Sequence, residues 1–154
     1  MAIRALHDLL VSNAYRPIAL TRTAMGHFSL NGTIDGKPAV FIVDTGASNT
    51  VVGRRTADSF GFDVTHVDDL GGGLGVSGAR TERAPVQQLQ LDGFDTHLDS
   101  VFVMDIDAVN QALVDNGSEA VDGVVGGDVL MRSEAIIDCA GAMLYLKEQR
   151  SGSA

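Results

Sequence analysis

Cysteine occurs once in the 154 residues and tryptophan not at all. A single thiol, Cys139, excludes an internal disulfide framework and permits a reducing compartment. Its setting in the apolar segment AIIDCAGAMLYL predicts a buried structural thiol rather than a nucleophile. Basic residues are also few: 11 Lys and Arg against 20 Asp and Glu leave a formal net charge of −9. No run of cations supplies the electrostatic footprint of a nucleic-acid binder, so nucleic acid is excluded as a partner, and the acidity reads as a solvated surface. Long apolar runs are missing as well. No segment approaches the roughly 18 apolar residues of a membrane span. The opening MAIRALHDLLVSNAYRP is interrupted by His7 and Asp8 and is too short for the apolar part of a signal peptide. The cytoplasm is therefore the expected location.

Glycine, in contrast, is abundant at 18 residues, and apolar residues make up 45% of the chain. That composition predicts a β-rich globule with many tight turns, and the length predicts a single core. Ile3, Leu6, Leu9 and Leu10 recur at helical spacing, which predicts an amphipathic helix over residues 2–13 stopped by Pro17. The pattern then changes to strands. GHFSLNGTI and KPAVFIV flank Asp35-Gly36, the chemistry of a tight hairpin, with Phe28, Leu30 and Ile34 on one face and Gly32 marking a bulge or close approach. Thr50-Val51-Val52 reads as a short strand, and RRTADSF as a helical turn closed by Gly61. APVQQLQL and THLDSVFVM read as two strands joined through Asp92-Gly93. DAVNQALVD, residues 107–115, reads as a helix broken by Asn116-Gly117. VDGVVGGDVLMRS reads as a strand entering a short helix, and EAIID with AMLYLKE as a last hairpin. The expected organisation is an N-terminal helical extension over 1–17, one domain over 18–148 and a disordered tail over 149–154.

One ionisable residue stands out. Asp44 follows the apolar run Phe41-Ile42-Val43 and precedes Thr45, Gly46, Ala47, Ser48 and Asn49, all small or turn-prone. A carboxylate beside so apolar a strand is expected to be partly desolvated, which disfavours its charged form. By itself the triplet Asp-Thr-Gly is more often an Asx turn ending a strand than a catalytic loop. Alternatives elsewhere are weaker. His7, His27, His66 and His97 have no metal-ligand spacing, and Asp105-Ile106-Asp107 lacks the glycine and terminal Glu of a calcium loop, so no metal or cofactor is expected. GLGVSG satisfies a dinucleotide fingerprint, but no clear strand feeds it and the sequence after it, interrupted by Pro85, reads as strand. Ser77 and Ser133 lack a nucleophile-elbow setting.

The combination of FIVDTGAS at the end of a hairpin strand, a Gly-rich segment some 30 residues later, and Val124-Val125-Gly126 with the Asp and Leu of GGDVL resembles the retropepsin-like aspartic proteases over roughly residues 26–148. The resemblance implies an all-β acid-protease barrel with short helices, one lobe per chain. It further implies a homodimer in which Asp44 meets its own symmetry mate, and hydrolysis of peptide bonds in a peptide or protein substrate without cofactor or metal. Thr45, Gly46 and Ala47 would support the active-site loop, with the Thr45 hydroxyl bonding across the dimer. Ser48 and Asn49 would touch substrate, although the acidic residue of the retroviral loop is absent here, as is the Arg for which Gly127 stands. Residues 72–79 occupy the place of the flap, the hairpin that closes over substrate, and Gly73, Leu74, Gly75, Val76 and Ser77 would contact the bound peptide. Dimer contacts are expected near AMLYLKEQR. The competing reading is a peptide-binding or scaffold module that keeps the fold without the proteolysis.

Overall fold

The computed structural model describes residues 3–67 and 81–149. The expected flap and its residues Gly73, Leu74, Gly75, Val76 and Ser77 lie outside the described residues. In chain order the elements are α1 (Arg4–Ser12), β1 (Tyr15–Ala19), β2 (Thr21–Arg22), β3 (Phe28–Ile34), β4 (Lys37–Val43), β5 (Val51–Gly53), α2 (Arg54–Phe60), β6 (Thr65–Val67), β7 (Thr81–Pro85), β8 (Leu89–Leu91), β9 (Phe94–Asp95), β10 (Ser100–Met104), α3 (Asp107–Asp115), β11 (Gly123–Val125), α4 (Gly127–Arg132), β12 (Ile136–Asp138) and β13 (Met143–Lys147). Strands and short helices dominate, as the composition predicts.

The large sheet runs β6-β7-β10-β5-β11-β4-β3-β8-β9, with β2 paired to β3. Its centre is the β3–β4 hairpin, where Asp35 (φ 50°) and Gly36 (φ 81°) make the turn and Leu30 faces Phe41 in register. Phe41 is fully buried, together with Ile34, Val52, Leu89, Leu91 and Val125. Gly32 serves close approach: a Cβ there would lie 2.3 Å from the Gln90 carbonyl of β8 and 3.2 Å from the Phe41 ring. Parallel pairing of β11 with β4 and antiparallel pairing of β11 with β5 bring three distant segments together. A second network ties them from below. Asp122 accepts from the Val40 amide at 2.8 Å and from the Thr56 hydroxyl at 2.8 Å, while the Gly53 amide donates to its carbonyl at 2.7 Å.

A small sheet of order β1-β13-β12 covers the other side of the core through Ile18, Leu144 and Leu146. Helix α1 lies against it: Leu10 is buried, and His7 Nδ1 stands 3.1 Å from the hydroxyl of the fully buried Tyr145. Burial, and secondarily the nearby Asp138 carboxylate, pushes the Tyr145 phenol above its ordinary range.

Several local expectations are corrected. The helix expected over residues 2–13 spans Arg4–Ser12, but Pro17 is not what stops it. Asn13 closes it by donating its side-chain amide to the Leu9 carbonyl, Ala14 turns the chain with φ 67°, and Pro17 sits inside β1 opposite Tyr145. APVQQLQL is split, because Asp35 accepts the Gln87 and Gln88 amides and pulls that stretch out of a ladder. THLDSVFVM is shortened: Asp95 caps the His97 amide, His97 takes φ 57°, and the strand starts only at Ser100. Cys139 is exposed, since it falls in the turn after β12 rather than on a strand. β13 itself is bonded on both edges, by β1 and by β12, so a contact near AMLYLKEQR would not use its backbone edge.

Candidate active site

Strand β4 delivers Asp44 to the surface. Phe41 and Ile42 are buried, Val43 is half-buried, and the chain then turns away so that Asp44, Thr45 and Gly46 are exposed. The expected desolvation of the Asp44 carboxylate is therefore not a property of the single chain: the apolar run anchors the strand, and the residue one step beyond it reaches solvent. Asp44 Oδ1 accepts the Gly46 amide at 2.8 Å, and the Ala47 amide donates to the Asp44 carbonyl at 3.2 Å. This is an Asx turn. The turn and the candidate catalytic loop are one structure, because a carboxylate held by the loop's own amide is also a carboxylate aimed outward.

The loop is clamped from behind by the segment between β11 and α4. Asp44 donates its amide to Val125 O at 3.0 Å, Gly127 N donates to Ala47 O at 2.7 Å, and Asp128 N donates to Ser48 O at 3.0 Å. Gly126 makes this fit possible. A Cβ there would stand 2.6 Å from the Asn49 carbonyl oxygen and 2.8 Å from that of Ala47, closer than any stable contact. Gly127 is in ordinary contact distance of the same loop.

Two residues of this clamp escape a reading of the sequence for roles. Thr50 is fully buried, and Asp128 is half-buried in the first turn of α4. The Thr50 hydroxyl donates to Asp128 Oδ1 at 2.7 Å, the Thr50 amide donates to Oδ2 at 2.9 Å, and the Gly126 amide donates to the Thr50 hydroxyl at 3.2 Å. Asp128 Oδ1 also accepts the Val129 amide at 2.8 Å. One carboxylate thus ties the Thr50 end of the loop to the first turn of α4. The signal available in the sequence was the Asp of GGDVL and a threonine beginning an apolar strand; the 78-residue separation hid their pairing.

Beside the loop lies an open cleft of about 270 Å³. Thr45, Gly46, Ala47 and Ser48 form one wall, and Leu130, Met131, Ala135 and Ile137 line much of the rest. No charged side chain lines it among the described residues. Asn49 is half-buried behind the loop, away from this lining. Among the described residues no cluster of His, Cys, Asp and Glu could hold a metal ion, and no helix is long and apolar enough to cross a membrane.

The family described as aspartyl protease matches residues 30–129, a span that contains both the Asp44 loop and the Gly126–Asp128 clamp. The chain belongs to the retropepsin-like aspartyl protease family. Its fold is that of a crystal structure of a retropepsin-like aspartic protease from Rickettsia conorii, with 22% identity, a TM-score of 0.56, and coverage of 86% of this chain and 89% of that one. A retroviral protease-like domain from Leishmania major aligns with 21% identity and a TM-score of 0.48, covering 82% of this chain and 96% of that one. In sequence, an uncharacterized protein in the cobV 5′ region of a Sinorhizobium species is 32% identical over 75 residues. That match takes in 49% of this chain and spans about a third, 32%, of the length of that relative.

Proposed function

We propose that this retropepsin-like chain is an aspartic endopeptidase that works as a homodimer, with one Asp44 from each copy. The observation that carries the reading is the position of Asp44: it projects to solvent from a loop held by four backbone bonds and by the bonds between buried Thr50 and half-buried Asp128. A lone exposed carboxylate has no reason to sit in so rigid a frame unless its direction matters. Two copies approaching along a two-fold axis would bring the two loops together with no side chain larger than Thr45 intervening at Gly46 and Ala47.

Two carboxylates in contact do not both ionise cheaply, so the pair retains one proton and titrates as a unit. The ionised Asp44 then accepts a proton from a water molecule held between the two. That water attacks the scissile carbonyl carbon while the protonated mate donates to the carbonyl oxygen. The tetrahedral intermediate collapses as the leaving amine takes a proton, and the pair returns to its singly protonated state. No covalent acyl-enzyme forms. Substrate would bind extended, as a β-like segment whose side chains alternate between pockets. Under this reading Thr45 bonds across the dimer, and Ser48 contacts the peptide at the edge of the cleft.

Replacing Asp44 by Asn tests this directly. The amide oxygen still accepts the Gly46 amide, so the loop keeps its shape while the titrating group is lost. A peptide-library cleavage assay from acidic to neutral pH should show hydrolysis by the wild type, strongest on the acidic side, and none by Asp44→Asn. Equal cleavage by both, after removal of contaminating protease, would refute the catalytic role of Asp44. A wild type that binds peptides without cleaving them would favour the scaffold reading.

A further inference from the structure

The face of the large sheet that carries Asp44 also carries a row of side chains ending in a cation. In register across β4, β11, β5, β10 and β7 stand Ile42, Val124, Val51, Phe102 and Arg83, and residues paired in this way share a face. Alternation along β4 sets Asp44 on the face of Ile42, so the row leads away from the catalytic loop. Ile42 is buried with Leu113 and Val121 at one end. Val124, Val51 and Phe102 are half-buried, and Arg83 is exposed at the other end.

Most cations of the chain are already engaged. Arg54, Arg55 and Lys147 pair with carboxylates, and Arg16, Arg22 and Arg132 donate to backbone carbonyls. Among the described residues Arg83 does neither. Its guanidinium lies over the Phe102 ring, 4.7 Å from the ring centre, and one nitrogen donates to the Ser100 hydroxyl at 3.2 Å. Glu82, next in the chain, is turned to the opposite face, where Arg54 takes it. Stacking and one neutral hydrogen bond fix the plane of the guanidinium and leave its other N–H groups without a partner among the described residues. A planar fork held in this way matches a carboxylate. Three strand spacings of about 4.8 Å set Phe102 roughly 15 Å from β4, a span that an extended peptide covers in about four or five residues. We infer that Arg83 selects the substrate: it takes an acidic side chain of an extended peptide whose apolar side chains lie along Val124 and Val51. This rests on the endopeptidase reading and names the class of peptide chosen. In a homodimer each copy presents its own row, so an acidic residue is selected on either side of the scissile bond. Because the chain as a whole is negative, at −9, and repels acidic peptides, the preference is confined to the position that reaches Arg83.

The test uses the full chain and peptides built on one sequence from the library, with Glu, Gln or Lys placed in turn at each position up to about six residues on both sides of the bond. The measured quantity is kcat/KM for the wild type, Arg83→Gln and Arg83→Glu. Far-UV circular dichroism and thermal unfolding check that the variants fold, which the exposure of Arg83 leads us to expect. The wild type should favour Glu over Gln about three- to tenfold at the outer position and not at the inner ones. Arg83→Gln should remove that preference, and Arg83→Glu should transfer it to Lys. In the wild type the preference should shrink at about 500 mM NaCl and below about pH 4, where the peptide carboxylate takes up its proton. An Arg83 that merely braces the sheet would, when replaced, lower cleavage of all the peptides alike, and that result would overturn the inference. So would a preference that survives both substitutions, or one of equal size at every position, the mark of long-range charge. Failure of the hydrolytic reading is distinguishable. If no peptide is cleaved, that reading fails, and the ratio of dissociation constants for the Glu and Gln peptides, read by fluorescence anisotropy, decides the role of Arg83. Peptides neither cleaved nor bound would overturn both.

Discussion

Replacing Thr50 by Val keeps the shape of a fully buried side chain and removes only its hydroxyl, which isolates the role of the Thr50–Asp128 pair. The wild-type hydroxyl donates to the Asp128 carboxylate at 2.7 Å and accepts the Gly126 amide at 3.2 Å. Losing the charge-assisted bond and leaving the Gly126 amide without that acceptor costs about 2–4 kcal/mol, partly offset by the apolar gain of the extra methyl. The measurement is urea unfolding at fixed protein concentration, since self-association would otherwise shift the midpoint. Asp128→Asn provides the second side of a double-mutant cycle: its amide nitrogen would face the Thr50 amide, two donors in opposition. If the loop clamp acts as a unit, the double variant loses at least about 1 kcal/mol less than the sum of the singles. Peptide cleavage should fall in both singles, because both loosen the mount of Asp44. A loss below about 0.5 kcal/mol for Thr50→Val, or effects of the two singles that simply add, would refute the claim that this buried pair holds the loop.

Two further outcomes follow from packing and burial. Gly126→Ala places a methyl against the Asn49 and Ala47 carbonyls and should cost about 1–3 kcal/mol in chemical unfolding. If cleavage requires that loop, the rate should drop about 100-fold, and unchanged unfolding and cleavage would show that the close approach is not needed. Tyr145→Phe tests the buried phenol. Its folded pKa is raised, so the neutral phenol contributes stability that is complete below about pH 10 and is lost as pH rises through the folded value. The wild type should therefore lose stability above that point more steeply than the variant. At neutral pH the variant should be weaker by about 1 kcal/mol for the missing contact to His7. Parallel alkaline profiles would refute the assignment of the shift to Tyr145.

Local chemistry was legible wherever a short stretch of chain settles its own conformation. Asp35-Gly36 and Asp92-Gly93 form turns, Gly61 closes α2 in the left-handed region, and α3 spans Asp107–Asp115 as its spacing predicts. Errors arose where a distant partner competes with the local pattern. Asp35 captures the amides of Gln87 and Gln88 and breaks an apparent strand 52 residues away. Pro17 looked like a helix stop, but an edge strand paired only to β13 tolerates a residue without an amide proton. Cys139 looked buried because apolar residues surround it in sequence, whereas it lies in the turn between β12 and β13, where its side chain is exposed.

The candidate site divides along the same line. Asp44, its small neighbours and the later Gly126-Gly127-Asp128 were singled out by the resemblance of their order along the chain to the retropepsin-like pattern, since the triplet by itself reads as an Asx turn. Tertiary structure alone decided that Asp128 and Thr50 share a carboxylate–hydroxyl bond, that Gly126 lies under the Ala47–Asn49 carbonyls, and that Asp44 is exposed in the single chain. The reason is the range of the forces involved. Turn propensity and hydrophobic period act over a few residues, whereas the direction of a buried hydrogen bond and the space left for a methyl depend on which distant backbone arrives beside it.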